Sequence, residues 1–270
     1  MPALIESDGH NVTLYHYQPN LGAAYTFTSL MGLATILLIA FMIKYRAWFF
    51  IPMVIGGTCE AFGYYGRSWS ASQPKNIDPY IMQVLLLMGA PPFISATLYM
   101  ALTRVVTAVH HERKLKWVTN IYVMIDIIAF LSQIAGSGLQ ATNDSKIIEI
   151  GERVVLGGLI FQLVALVIFL IISMRLRSII KREVGHQLQR AKISWRRYFR
   201  LIYVASVAIW VRSLVRAIEF AQPSDGFINS HESFIYVFDG VPILIVLLGF
   251  LIINPGRLVS WVSQSLKDTN

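Results

Sequence analysis

Apolar residues gather along this chain in seven blocks separated by short polar stretches, at about 21–43, 47–66, 79–101, 117–139, 154–174, 198–220 and 232–252. Each block approaches the roughly 20 residues that carry a helix through a bilayer core. Lipid offers no partner to backbone N–H and C=O groups, so helix is the form such segments take. The pattern predicts an all-α integral membrane protein, a seven-transmembrane-helix bundle over residues 21–252, with an N-terminal segment 1–20 and a tail 253–270. Residues 1–20 hold no Lys or Arg, and the first block is too long for a signal-peptide core, so it is expected to be a true span.

The blocks are not uniformly apolar. The sixth contains WVRSLVRAIEF, in which Arg212, Arg216 and Glu219 recur at spacings of four and three and so share one helix face. A charge facing lipid costs at least ~2.5 kcal/mol, so this face is expected to point into the bundle. Counting inward from the same end of each block puts Glu60 and Asp239 at the depth of Arg212, with Gln133 and Gln162 in the same layer and Gln83 slightly above it. Asp126 lies two turns inward of Gln133 on the same face, and Glu232, Tyr236 and Asp239 form a stripe on the seventh block. One reading is a structural ion network tying helices two, six and seven together. The other is a polar cavity that takes the cationic or zwitterionic head of an amphiphile. Glu60 and Asp239 would then be head-group or proton sites, Arg212 and Arg216 their counter-charges, and Asp126 an inward extension of the path. Pro91, Pro92 and Pro242 interrupt two of the blocks and predict kinks or hinges. Gly57 with Ala61, and Ser132 with Gly136, are spaced for close helix approach.

Composition agrees with the membrane reading: 55% of the 270 residues are hydrophobic and 14% charged. The charge is one-sided. Outside the blocks, 16 Lys and Arg fall on one alternate set of connections and 4 on the other. The positive-inside rule then predicts an external N-terminus and a cytoplasmic C-terminus. The sequons at Asn11 and Asn143 are glycosylation candidates on the side predicted to be external. The net charge of +8 is thereby explained by topology and anionic lipid, without a nucleic-acid partner.

Several chemistries lack their motifs. No G-x-x-x-x-G-K-[ST] cradle is present, so the chain itself is not expected to drive transport with ATP. No H-E-x-x-H or serine elbow appears, the lone Cys59 lies in an apolar block, and no metal site or catalytic centre is expected. No resident cofactor is expected, although His231 and Tyr236 keep haem or porphyrin as a further ligand class. A seven-helix lipid receptor or sensor is the alternative to a transporter. The third block, however, ends in TLYMALTRVV rather than an Asp-Arg-Tyr-like triplet.

Six stretches carry a family resemblance: EAFGYYGR (60–67), APPFISATLYMALTRVV (90–106), DIIAFLSQIAGSG (126–138), GGLIFQL (157–163), VRSLVRAIEF (211–220) and HESFIYVFDGVPILIVLLGFLIINPG (231–256). In this order they resemble the fungal lipid-translocating exporter family, of the resistance-to-aminocholesterol type. The resemblance implies a fungal membrane protein that moves or resists amphiphiles such as sphingoid long-chain bases, amino-sterols or porphyrins, and the external sequons suit the plasma membrane. It also marks Arg67 as a site residue beside Glu60, Asp126, Gln133, Gln162, Arg212, Arg216, Glu219, Glu232, Tyr236 and Asp239. The doublet Pro91-Pro92 departs from the pattern, which has a single proline there.

Overall fold

Seven helices follow one another in the computed structural model, which describes residues 20–73, 76–110, 115–139, 144–183, 195–222 and 232–253. They are α1 (Leu21–Lys44), α2 (Ile51–Ser72), α3 (Ile77–His110), α4 (Leu115–Leu139), α5 (Ser145–Glu183), α6 (Trp195–Ala221) and α7 (Val241–Ile252). A π-helical turn, Ile235–Gly240, leads directly into α7. No strand occurs among the described residues.

Local chemistry explains several of the boundaries. Asn20 caps α1 by accepting from the Ala23 N–H at 3.2 Å. The same helix ends in a Schellman motif: Ala47 N–H donates to Met42 O, Arg46 N–H donates to Ile43 O, and Arg46 takes a left-handed φ of 49°. The π-turn belongs to Pro242. Proline has no N–H to offer and crowds the carbonyl four residues before it. The chain widens there, so that Val241 N–H reaches Tyr236 O, five residues back.

Successive helices pack side by side, α7 returns to α1, and α3 also meets α5 and α6, which places it at the centre. Six of the helical segments are long and apolar enough to cross a membrane on their own. The seventh, α2, is not short: its 22 residues span about 33 Å at ~1.5 Å per residue. It is less apolar because Glu60, Arg67, Ser68 and Ser70 line its buried face. Met31, Phe50, Tyr99, Phe169 and Phe199 fill the interior, while Ile36, Ile121, Leu131 and Phe161 face outward. This is the distribution of a multi-pass integral membrane protein, whose surroundings are as apolar as its core.

The helices overrun the apolar blocks. At 39 residues α5 is about 58 Å long, well beyond a ~30 Å hydrocarbon core, and so carries Arg175, Arg177, Lys181 and Arg182 on a helical extension rather than a loop. Because α2 continues to Ser72, Glu60 sits near the middle of its helix instead of seven residues below its end. The closely spaced small residues do lie at contacts. Gly57 faces Thr35 of α1, Gly136 faces the α5 backbone at Gly151, and Gly158 of α5 faces Ser132.

Candidate functional site

The sixth-helix face turns inward, as its spacing predicts, and Arg212 becomes the centre of a five-charge network. Arg212 Nη2 donates to Glu60 Oε1 at 3.4 Å and to the Leu87 carbonyl at 2.8 Å. Its Nε lies 2.7 Å from Asp239 Oδ1 without aiming a hydrogen bond there. Arg216 grips the other side of Asp239 with two bonds, Nε to Oδ1 at 3.3 Å and Nη2 to Oδ2 at 3.1 Å, and its Nη1 holds Glu219 at 3.2 Å. Glu60, Arg212 and Asp239 are each less than 5% exposed. Charges so far from water persist when they are paired and hydrogen-bonded.

The Leu87 carbonyl is free to accept because of Pro91. In an α-helix the N–H of residue 91 would bond the carbonyl of residue 87, and proline has none. Pro91 thus does more than bend α3: it exposes a main-chain acceptor that fixes the buried Arg212.

A second cluster lies nearer the end of the bundle where α1 begins. Arg67 donates from Nη2 to Glu232 Oε1 at 2.9 Å and from Nε to the Tyr236 hydroxyl at 3.0 Å, while that hydroxyl donates to Glu232 Oε1 at 3.1 Å. The Arg67 guanidinium also lies 5.2 Å from the centre of the Tyr236 ring. Glu232 further accepts from the Asn20 N–H, with both oxygens within 3 Å, so one carboxylate ties α1 and α2 to the entry of α7. Tyr64 stacks on Tyr236 at 5.9 Å between centroids, and its hydroxyl donates to the Ile235 carbonyl in the π-turn at 3.4 Å. The stripe Glu232, Tyr236 and Asp239 therefore splits: its first two members serve Arg67 and the third serves Arg212 and Arg216.

On the far side of Arg212, Gln133 donates to Gln162 at 3.3 Å, joining α4 to α5. These two glutamines, Leu87, Pro91, Pro92, Arg212 and Arg216 line a cavity of about 20 Å³. That is space for about one water molecule. The polar layer is present, but in this conformation it does not hold a lipid head group. Asp126 stands apart from both ion clusters, buried among α3 and α4 residues.

Against known proteins, the profile described as RTA1 like protein matches residues 53–261, most of the chain. The chain belongs to the RTA1-like family. Protein RTM1 of Saccharomyces cerevisiae is 36% identical over 75% of this chain and 66% of its own length. Protoporphyrin uptake protein 1 of the same organism is 35% identical over 74% of the chain and 67% of its own length. The chain thus spans about two thirds of the length of these relatives. The sphingoid long-chain base transporter RSB1, also of Saccharomyces cerevisiae, is 26% identical over 93% of the chain and 75% of its own length. No solved structure matches.

In this RTA1-like chain the structure brings together nearly every charge that the sequence put in the layer. It also adds partners without a sequence signature of their own: the Leu87 carbonyl, the Asn20 N–H and the Tyr64 hydroxyl. The proline four residues after Leu87 is the signal that could have found the first. Asn11, Asn143 and His231 lie outside the described residues. Pro242 stands at the π-turn, and Pro91 and Pro92 sit within an unbroken α3.

Proposed function

We propose that this protein is a membrane translocator of amphiphiles with a cationic or zwitterionic head group, acting without ATP hydrolysis and without enzymatic chemistry. One observation carries the reading. The buried network has three carboxylates against two guanidiniums, and Glu60 Oε2 is wholly buried with no hydrogen-bond partner. A protonated amine supplies what that oxygen lacks: an N–H donor and one positive charge. Sphingoid long-chain bases carry such an amine, and the name of the relative RSB1 supports that substrate class.

The hydrocarbon tail has a place close by. An apolar groove of about 500 Å³ runs between α6 and the start of α7, walled by Val204, Val207, Val211, Phe238 and Val241. Val211 and Phe238 directly adjoin Arg212 and Asp239 in sequence, so head and tail would straddle one helix pair. With room for about one water beside Arg212, the present state is closed to a head group. Binding then requires α3 and α6 to separate, with Glu60 exchanging Arg212 for the amine of the ligand.

A second reading has its own support. The name protoporphyrin uptake protein 1 points to a ligand bearing carboxylates, which would pair with Arg212 and Arg216 in place of Asp239. We place the protein in the plasma membrane, with its N-terminus external.

The test is movement of a labelled long-chain base across liposomes containing only the purified protein. Glu60→Gln keeps the shape of the side chain and removes the charge, so it should abolish protein-dependent movement in a folded protein. Movement at the wild-type rate would sink the amine-binding role. Saturable protoporphyrin binding, read by optical absorption and lost in Arg212→Met, would favour the second reading.

A further inference from the structure

Outside both ion clusters, one group of buried oxygens lacks partners. Asp126 is the twelfth of the 25 residues of α4, at the middle of the helix, and is 2% exposed. It belongs to the buried stripe Tyr122, Asp126, Ala129, Gln133 and Ser137, whose spacing of three and four holds its carboxyl against α3. There the Tyr99 hydroxyl adjoins both the Asp126 carboxyl and the Ser95 hydroxyl. Tyr99 lies within reach of both neighbours, yet no hydrogen bond of good geometry closes onto either oxygen of Asp126 or onto the Tyr99 and Ser95 hydroxyls, and all three side chains are at least 98% buried. From α5 the group meets Phe169, whose ring packs edge-on against Tyr99 and Tyr122. Among the described residues Tyr99 is the titratable side chain that acts on Asp126, and no ion pair with Lys or Arg reaches it.

A carboxylate buried without a counter-charge is too costly to persist, and pairing or protonation is what removes the cost. Unsatisfied buried groups in a native protein also mark places where something binds. We infer that Asp126, flanked by Tyr99 and Ser95, is an exchangeable proton site, distinct from the network around Arg212. In the loaded state the carboxyl holds the proton as O–H and the site is neutral. On release the proton passes to water, leaving a carboxylate to which the Tyr99 hydroxyl can donate while it accepts from Ser95. Access follows from the fold. Ser95 is one turn from Pro91, and Asp126 two turns from Gln133, and both Pro91 and Gln133 line the cavity beside Arg212. Exchange with water entering from that cavity then requires α3 and α4 to open between Ser95 and Gln133. A carboxyl that must be neutral to stay buried, two turns along α4 from the cavity beside Arg212, is a means of coupling a proton to the movement of cationic cargo. That last role rests on the amphiphile reading, whereas the proton site itself does not.

The experiment therefore uses no amphiphile. Infrared difference spectra of the full-length protein in liposomes, stepped through pH in H2O and D2O, read the carboxyl C=O stretch. A titrating band of protonated carboxyl should be present in wild type, retained in Glu60→Gln, displaced in Tyr99→Phe, and lost in Asp126→Asn. The same bands in Asp126→Asn as in wild type would overturn the assignment. So would removal of the band by Na+ at constant pH, which would make this a metal-cation site. If Asp126→Asn does not fold, Tyr99→Phe decides alone: an unmoved band sinks the proposal.

Discussion

Arg212 shows how one residue organises a membrane interior. Its guanidinium faces carboxylates from two other helices and a carbonyl from a third. Removing it alone leaves the buried Glu60 uncompensated while Asp239 keeps Arg216, and breaking a buried pair in this way costs about 3–5 kcal/mol. Arg212→Met should therefore unfold at markedly lower temperature in detergent micelles. Adding Glu60→Gln should recover most of the loss, since Asp239 keeps Arg216 and no orphan charge then remains. Failure of the double variant to recover would mean that Arg212 acts by packing rather than by charge. The acids and guanidiniums were legible in the sequence because charges in apolar blocks face inward and their depths can be counted. Leu87 was marked only indirectly, by the proline four residues on that leaves its carbonyl without a helical donor, and its partner could not be read from spacing.

The helices themselves differ in how their boundaries could be known. The N-cap at Asn20 uses local chemistry within four residues. The π-turn at Ile235–Gly240 also follows from a local cause, Pro242, but the sequence announced only a kink. Tertiary contacts then cover the turn: the Tyr64 hydroxyl donates to the Ile235 carbonyl, and Phe27 and Tyr64 close over Gly240. Helix contacts obey the same division. A Cβ at Gly136 would meet the Gly151 carbonyl at 2.6 Å and Val155 at 2.6 Å, whereas one at Gly138 meets nothing within 4 Å. Gly136→Ala should thus cost about 1–3 kcal/mol by wedging α4 from α5. Gly138→Ala, in an open part of the same helix, should be neutral or slightly stabilising. Equal effects in thermal unfolding would contradict the α4–α5 contact.

At the scale of the whole molecule, an odd number of spans places the two termini on opposite sides of the membrane. Six helical segments meet the apolar criterion unaided and α2 does not, so the count depends on α2 crossing. A tag at the N-terminus should be reached by antibody on intact cells, and a tag at the C-terminus only after permeabilisation. Both tags on one side would remove α2 from the bilayer. Where the two polar clusters and the Asp126 group sit relative to one another is likewise a property of the assembled bundle. It depends on α3 lying at the centre, where it supplies Leu87 to one group and Tyr99 with Ser95 to another.

Lipid as a solvent penalises every exposed charge and every unpaired backbone group. The sequence alone therefore determined that the chain folds as seven helices and that Glu60, Asp126, Arg212, Arg216 and Asp239 point inward. Partner choice was settled only in three dimensions. A face can be read from spacing along one helix, but distances between helices depend on packing that spacing does not encode. Glu232 thus went to Arg67 and Asn20, Asp239 went to both sixth-helix arginines, and Asp126 was left beside Tyr99 with no counter-charge.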